Sequence, residues 1–492
     1  MMTDEASIRV HIKPKSGGRA TVCVSSTRTN AVARAASLPE NRGRVRRMLT
    51  LLYGLCPIAH LAAFDGAVAA ARGEDPMADL PRCHLINDAV RLESMTENLR
   101  VLILEAARIE LESEAMGVMP GIVPAAPAVD PADARAIGRL RALLARVTSE
   151  LLKLLEAPSW TNSPQLQAQA ARVREDIAMG LADAQALAEK SLWGMTPEAF
   201  CEAFETEDDL AAARAGVWAR ANAAGLPAAH LLTSMLACSE TLDPLSFTDS
   251  DFPLLPHHDV LAGADFSEEL CYRMLHDPGF DLAPFWQGTP RLTGAAARMS
   301  SHPVVAGLAD AVGFTPAVLL CARIMETAEV LRAYRAAPSD SLEARDAALE
   351  AGDAFTHIRS ASSPADRCGL ALVETARGLL AHAAAVARDG TLAMLRITSP
   401  TEWQFSPNGP GQRIARPIVK DLAFPSNDLE RRRMEAKVKR GLFALDACVP
   451  VTFAYNAVAA EAPGKAPKRS ATNIFAGRRP IAEENAAADA AF

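Results

Sequence analysis

Apolar residues near the N-terminus alternate with polar ones. Every second residue from Ile8 to Ile12 is a branched apolar residue, and the alternation returns at Val22 and Val24 after a turn that contains two glycines. A period of two places one set of side chains on one face of a strand. The pattern predicts two short strands joined by a turn, and we assign residues 1–43 to an N-terminal β-rich region.

Farther along the chain, apolar residues recur every three or four positions, which is typical of amphipathic helices. In segment 84–116, for example, Leu92, Met95 and Leu99 lie near one side of the predicted helix. The same reasoning predicts helices over 45–52, from Pro57 onward, and over 136–156, 165–192, 308–334, 342–358 and 427–443.

Several segments interrupt this helical pattern. Four prolines between residues 117 and 133 indicate a loop or linker, and 241–265 and 401–412 are expected to be irregular. Residues 391–398 read as a strand, whereas 367–382 could begin in a loop and enter a helix or a strand. We therefore expect a mainly α protein with small β elements, an α+β class, with one helical domain over 44–461 and a disordered tail over 462–492.

Composition narrows the function classes. Apolar residues make up 49% of the chain, which suffices for a large core, and the net charge of −8 argues against nucleic-acid or anionic membrane surfaces. The nine cysteines form no C-x-x-C pair, as expected for reduced thiols in the cytoplasm. Neither a signal peptide nor membrane insertion is expected, because the uncharged stretch 221–239 is too broken to span a bilayer.

Two cysteine-containing segments, 53–60 and 445–451, could carry chemistry. Each looks like half of a four-cysteine metal site from which one cysteine is missing, because Tyr53 and Val451 occupy the positions where the other thiolates would stand. Soft metals select thiolate ligands. The sequence therefore predicts Cys56 and Cys448 as metal ligands, with His60 as a further candidate.

Structural alternatives exist for each of these residues. A lone cysteine is commonly a small buried hydrophobic residue, and a histidine such as His60 is more often hydrogen-bonded than metal-bound. Asp446 could orient a ligand or cap a turn. If Pro57 begins a helix, the helix dipole would lower the pKa of Cys56.

The two segments resemble the metal motifs of nickel–iron hydrogenase large subunits. Segment 51–60 is similar to R-x-C-G-x-C-P-x-x-H, and segment 446–454 is similar to D-P-C-x-x-C-x-x-H. The positions that match are Gly54, Cys56, Pro57, His60, Asp446 and Cys448; the positions that depart from the motifs are Leu51, Tyr53, Ala447, Val451 and Ala454.

Two further segments support the resemblance, which spans about residues 8–455. Segment 374–378 resembles E-A-P-R-G, whose arginine lies beside the cyanide ligands of iron in that family; this implies a cofactor-binding role for Arg377. Segment 399–403 resembles V-P-x-T-W-N, where the residue after proline hydrogen-bonds a cyanide, which implies such roles for Pro400 and Thr401.

Within that family, the departures resemble the hydrogenase expression/formation accessory proteins of the HupK/HoxV type. Segment 400–407 is similar to P-T-E-W-N-F-H-P, and segment 286–298 is similar to W-x-G-x-P-x-x-T-G-A-x-A-R. The resemblance implies a hydrogenase large-subunit-like helical core. It also implies a non-enzymatic scaffold that transiently holds iron with cyanide and carbonyl ligands and passes it to a hydrogenase large subunit, with other maturation proteins as partners.

Two broken cysteine pairs would leave nickel without two ligands, so nickel binding is not expected. Cys448 matches the first cysteine of its motif, whereas the second one bridges to iron in that family. An alternative is a catalytically inactive hydrogenase-like interaction protein without metal, and an active hydrogenase is a weaker alternative.

Without the resemblance, Arg377 would be interpreted as part of a surface ion pair, with Glu374 as its partner if the segment were helical.

Overall fold

The computed structural model describes residues 6–75, 79–118, 126–157, 163–205, 225–239, 247, 253–255, 264–336, 358–365 and 367–455. The predicted tail, most of the predicted helix 342–358 and most of segment 241–265 lie outside these residues. The described part is dominated by helices and contains two small sheets, which confirms the predicted mainly α class.

Helices form most of the described chain. Their bounds are α1 Ala31–Ala36, α2 Val45–Leu52, α3 Pro57–Ala71, α4 Leu80–Leu99, α5 Ala106–Ala115, α6 Pro131–Glu156, α7 Pro164–Ala188, α8 Pro197–Glu205, α9 Pro227–Ser239, α10 Ala264–His276, α11 Ala295–Arg298, α12 Pro303–Val312, α13 Pro316–Ala336, α14 Pro400–Phe405, α15 Pro410–Lys420 and α16 Asp428–Phe443. Short 3₁₀ turns span Ser16–Gly18, Pro39–Arg44 and Phe280–Leu282, and π-helical segments span Arg100–Glu105 and Glu189–Trp193.

Proline is the first residue of nine helices in the described part of the chain. Its fixed φ suits the first helical turn, and its missing N–H is a group that has no intrahelical partner there in any case. Prolines therefore mark helix starts in this sequence. The prediction that 401–412 is irregular is wrong at both ends of the segment for this reason: Pro400 and Pro410 begin α14 and α15, and only residues 406–409 between them form a turn.

Other helix predictions need smaller corrections. Segment 308–334 is not one helix, because Gly313 at φ +69° ends α12 and Pro316 begins α13. Segment 84–116 is helical throughout, but a π-helical stretch from Arg100 to Glu105 separates α4 from α5.

The first sheet brings the two ends of the described chain together. Its strands are β1 Ile8–Pro14, β2 Ala20–Ser26 and β7 Val451–Tyr455, in the order β2-β1-β7. β1 and β2 pair antiparallel, as the alternation predicts, whereas β1 and β7 pair parallel with Ile8 opposite Val451. The N-terminal region therefore shares its sheet with a strand from the far end of the chain.

The second sheet is an antiparallel meander. Its strands are β3 Ile358–Ala365, β4 Cys368–Thr375, β5 Gly378–Val386 and β6 Leu392–Thr398, in sequential order. The predicted strand 391–398 is confirmed, and the open alternative for 367–382 resolves to strands. β4 packs so tightly on α3 that a Cβ on Gly369 would lie 2.2 Å from the carbonyl oxygen of Ala67.

One large apolar core joins both sheets to the helices. α3 is central to it, because twelve of its fifteen residues are buried. No described helix has both the length and the apolar character that crossing a bilayer requires.

Candidate functional site

Cys56 lies immediately before α3. Pro57 begins the helix, as predicted, and the next two backbone N–H groups donate to the buried Glu93 carboxylate, Ile58 at 2.8 Å and Ala59 at 3.1 Å. Side-chain oxygens that accept from the first N–H groups of a helix satisfy donors that have no partner within the helix. The positive end of α3 is therefore engaged by Glu93.

The pKa of Cys56 is raised, so the predicted lowering by the helix dipole is wrong. Burial is the main cause; the Glu93 carboxylate adds to it, and the Arg377 guanidinium opposes it. Burial likewise raises the pKa of Glu93, to about 8, despite its two backbone hydrogen bonds. The metal-free protein therefore carries a protonated thiol at position 56 near neutral pH, and metal binding there would release its proton.

Cys448 lies in the connection between α16 and β7, where two side chains contact its sulfur. Arg28 Nη1 donates a hydrogen bond to Sγ at 2.7 Å, and Thr401 Oγ1 lies 3.0 Å from Sγ. Arg28 is itself held by an ion pair with Glu402. Because the buried Pro400 begins α14, it fixes the start of the helix that carries Thr401 and Glu402.

Cys56 and Cys448 are close enough for the charge of one to affect the pKa of the other. Negative charge on Cys448 contributes to the raised pKa of Cys56. Burial is the main cause of the raised pKa of Tyr53, and charges on both cysteines raise it further. Leu55, which directly precedes Cys56, lines the same cleft as Cys448, so the segments around positions 56 and 448 meet in the fold although most of the chain separates them.

Arg377 lies in the tight turn between β4 and β5, and two glycines position this turn. A Cβ on Gly378, at φ +134°, would lie 2.3 Å from Thr293 Oγ1. A Cβ on Gly294, at φ +95°, would lie 2.9 Å from the carbonyl oxygen of Arg377. Segments 374–378 and 286–298, which both carry the family resemblance, therefore contact each other through positions that accept only glycine.

Arg377 is buried, so the alternative of a surface ion pair does not apply. Its Nη2 donates to Glu97 at 2.8 Å, and its Nε lies 3.2 Å from Asp446 Oδ2 without forming a hydrogen bond. Burial alone would lower the pKa of Arg377, but the Asp446 and Glu97 carboxylates outweigh it and raise the pKa. Arg323 Nη2 also donates to Asp446, at 2.7 Å.

Asp446 stabilises a cluster of cations rather than a simple turn. Burial opposes its ionisation, yet the guanidinium groups of Arg377, Arg323 and Arg100 lower its pKa. Its backbone adopts φ +47°, which is uncommon for a residue with a side chain but accessible to aspartate. This conformation directs the chain from α16 towards Cys448.

Glu374 pairs with a different arginine from the one the sequence suggested. It lies at the end of a strand, and its carboxylate accepts a hydrogen bond from the buried Arg298. Arg298 also binds Glu326 through Nε and Nη2 and donates to the carbonyl oxygen of Thr375 at 3.2 Å. This buried network fixes the end of β4 and, through it, the turn that carries Arg377.

His60 lies within the core, one helical turn beyond the Cys56 position. Its Nδ1 is 3.0 Å from Nε2 of His382, and its ring stacks on Tyr53 with centroids 3.7 Å apart. Burial, followed by the neighbouring His382, lowers the pKa of His60, so both rings are neutral. Nε2 of His60 is buried without a hydrogen-bond partner among the described residues.

The side chains at this site suit a metal held by two thiolates and nearby hydrogen-bond donors better than a metal held by protein ligands alone. Within the described ranges, no group of three or more His, Cys, Asp or Glu side chains is arranged to hold a metal ion. The site does supply two sulfurs and, at Arg377 Nε, a buried donor without a hydrogen bond. An iron that brings its own diatomic ligands needs few protein ligands and would fit this set.

Several site residues had no role assigned from the sequence. Arg28, Glu93, Glu97 and Arg323 each lie outside the recognised metal segments. Glu402 was visible only as part of the P-T-E-W segment. Charged residues inside otherwise apolar helical segments are the one signal that could have identified Glu93 and Glu97 as buried partners.

Comparisons with known proteins give two sequence matches. The chain is 32% identical over 208 residues to the hydrogenase expression/formation protein HoxV of Cupriavidus necator, an alignment covering 41% of this chain and 47% of that protein. It is 34% identical over 143 residues to the hydrogenase expression/formation protein HupK of Rhizobium leguminosarum bv. viciae, covering 29% of this chain and 34% of that protein. The chain thus spans less than half the length of these relatives, and the matches confirm the predicted sequence resemblance to them. No family model matches the chain.

Solved hydrogenase structures give weak fold matches. An NAD⁺-reducing [NiFe]-hydrogenase in the H₂-reduced state has a TM-score of 0.43 at 14% identity, with coverage of 88% of this chain and 93% of that chain. The Ni-Fe-Se hydrogenase from D. vulgaris Hildenborough has a TM-score of 0.40 at 14% identity, with coverage of 88% and 95%. Scores of this size support no inference about the site.

Proposed function

We propose that this protein is an accessory protein of nickel–iron hydrogenase maturation that holds an iron–cyanide–carbonyl fragment and transfers it to a hydrogenase large subunit. Two observations support the proposal: Leu55, beside Cys56, lines one cleft with Cys448, and the charge of the buried Arg377 acts on Cys56. The similarity to two hydrogenase expression/formation proteins supports the accessory role.

Each site residue has a definite task in this proposal. Cys56 and Cys448 supply sulfur ligands to the iron cargo. Arg28 and Thr401, which contact Cys448 Sγ at 2.7 and 3.0 Å, orient that sulfur. Arg377 offers Nε as a hydrogen-bond donor to a cyanide nitrogen, and partners beyond the ligands of this kind fix ligand orientation and tune affinity.

The surroundings of the two cysteines also explain how the iron fragment would be released. Cys56 has a raised pKa, so the thiol form is favoured once the iron departs. The hydrogen bonds to Cys448 reduce the electron density that its sulfur can donate to iron. A carrier must bind strongly enough to protect its cargo and weakly enough to release it, and two such sulfurs meet both requirements.

The test is infrared spectroscopy of the full chain purified from cells that produce the hydrogenase maturation machinery. We expect bands in the cyanide and carbonyl region together with bound iron. Both signals should be lost in Cys56→Ser and Cys448→Ser and kept in the matched control Cys23→Ser, because Cys23 is exposed on β2. Absence of both bands and iron from the unsubstituted protein would refute the carrier role.

A second candidate is a hydrogenase-like interaction protein that holds no metal. The raised pKa of Cys56 and the lack of a three-ligand group in the described residues favour it. In that case Cys56→Ser and Cys448→Ser would support hydrogenase maturation in cells as well as the unsubstituted protein does. A cellular hydrogenase assay with these two variants separates the candidates.

A further inference from the structure

A basic cleft opens beside Cys448, on a protein whose net charge is −8. Its volume is about 470 Å³. Four cationic side chains line it, Arg100, Arg108, Arg141 and Lys439, against two acidic ones, Glu105 and Asp446. A local excess of positive charge on an acidic protein marks a surface built for an anionic partner.

The cations differ in how far their charge is already compensated. Arg100 contacts Glu97 and Glu105, so its charge is largely neutralised within the fold. Arg108 also pairs with Glu105, but its side chain is 67% exposed. Arg141 is exposed on α6 and has no ion pair within the described part of the chain. Lys439 is paired with Glu112 at 2.8 Å. Arg141 and the largely exposed Arg108 are therefore the lining cations with charge available to a partner.

Apolar residues form another part of the lining, which we call the floor of the cleft. It is lined by Leu55, which directly precedes Cys56, by Ile109 and Phe443, and by the segment 449–451 that follows Cys448. A few residues before Leu55 in the sequence, Leu51 and Leu52 at the end of α2 are 81% and 58% exposed. Interfaces with an apolar centre and a charged rim favour a partner that offers apolar side chains flanked by opposite charge.

We propose that this cleft docks an acidic, leucine-containing peptide segment of a partner protein, placing it against Cys448. The inference rests on the proposed function for its biological meaning, since the partner would be a donor or acceptor of the cargo. The segment binds through carboxylates that contact Arg108 and Arg141 and through apolar side chains on the floor.

The chain's own C-terminal residues are a poorer occupant. Residues 456–492 follow β7, which borders the cleft, but they carry five Lys and Arg residues against four Asp and Glu residues. A slightly basic segment gains nothing from a basic cleft. A segment with a clear excess of carboxylates fits the charge of the walls.

The test is fluorescence anisotropy with the full-length, metal-free protein and a labelled synthetic peptide of twelve residues, half glutamate and half leucine or glycine. We expect binding that weakens by at least about tenfold between 50 and 300 mM salt, as screening of several charge pairs requires. We expect an equal or larger loss in the double variant Arg108→Glu/Arg141→Glu. The matched control Arg172→Glu, a charge reversal on an exposed position of α7 outside the cleft, should bind normally.

Several outcomes would overturn the proposal. These are no binding by the full chain, equal binding of a peptide with glutamine in place of glutamate, and equal binding by the double variant. Self-association of the protein that the double variant abolishes would assign the cleft to a second copy instead. Because the protein is metal-free, failure here is separate from failure of the infrared test. Circular dichroism of the variants checks that they are folded, and both substituted side chains are exposed.

Discussion

At the scale of single residues, the site depends on charges that the fold has removed from water. Arg28 connects a buried carboxylate, Glu402, with the Cys448 sulfur. The Glu402 side chain is only 4% exposed and that of Arg28 only 13% exposed. A buried ion pair is not strongly stabilising as a whole, but removal of one partner leaves the other charge uncompensated.

We therefore predict that Arg28→Gln lowers the free energy of unfolding by about 3 kcal/mol, because Glu402 loses its cation. The double variant Arg28→Gln/Glu402→Gln should recover part of this loss, since no buried charge remains. Urea unfolding of the four proteins in the mutant cycle measures the coupling. Purely additive effects would show that the two side chains act independently.

The residue scale also shows how far the sequence alone could reach. Cys56, Cys448 and Arg377 were identified because each stands in a motif of recognisable spacing. Arg28 was not, because nothing local distinguishes it from any other loop arginine. Its role arises from contacts with residues more than 370 positions away, at Glu402 and Cys448.

At the scale of elements, α3 and β5 place two neutral histidines in contact. His60 on α3 and His382 on β5 are fully buried, and burial lowers the pKa of His382 to about 3. In the unfolded chain a histidine titrates near pH 6.5. Between pH 6.5 and 3 the unfolded state therefore binds more protons at this position than the folded state does.

This difference predicts a loss of stability on acidification. The free energy of unfolding should fall as pH decreases below 6.5, by about 1.4 kcal/mol per pH unit from His382 alone once the unfolded histidine is fully protonated. In His382→Gln the slope should be smaller by that amount. The matched control is His276→Gln, since His276 is exposed on α10.

Urea denaturation of metal-free protein at several pH values between 7 and 5 gives these slopes. Only the slopes of the free energy of unfolding against pH are compared, so a loss of stability that is the same at every pH does not affect the result. Equal slopes for the unsubstituted protein and His382→Gln would contradict the assignment of a neutral, buried ring at position 382.

Elements also show where sequence patterns mislead. Segment 401–412 was expected to be irregular. In the structure Pro400 and Pro410 stand at first helical positions, where proline is favourable. The same residue type therefore ends a helix at one position and begins one at another.

At the scale of the whole molecule, the first sheet joins residues near the N-terminus to a strand beyond Cys448. Ile8 N donates to the carbonyl oxygen of Pro450 at 2.8 Å, and β7 continues the parallel ladder along β1. In a parallel pair of strands, every second residue donates its backbone N–H to the neighbouring strand. Because Ile8 donates to Pro450 and lies opposite Val451, the N–H of Ala454 donates to β1. The sheet thereby fixes the connection that carries Cys448.

We predict that Ala454→Pro weakens β1 as well as β7, because proline removes the ladder donor. Hydrogen exchange of the segment 8–14 should become faster although the substitution is near the far end of the chain. Ala454→Gly, which keeps the N–H, is the matched control and should change the exchange less. Unchanged exchange of residues 8–14 in Ala454→Pro would show that β7 does not protect β1.

The sequence by itself determined the mainly α class, the two N-terminal strands and the helix that begins at Pro57, and it singled out the two cysteines and Arg377 as candidate site residues. These features follow from local periodicity, from proline geometry and from motif spacing, all of which are encoded over short stretches. It also pointed to the hydrogenase accessory proteins that the sequence matches support.

Only the tertiary structure decided the surroundings of those residues. Whether the pKa of Cys56 falls or rises depends first on burial and then on Glu93, which accepts hydrogen bonds at the helix N-terminus. Whether Arg377 lies on the surface depends on Glu97 and Asp446. Burial and Coulomb interactions between distant segments depend on where the chain folds back on itself, and no short stretch of sequence encodes that.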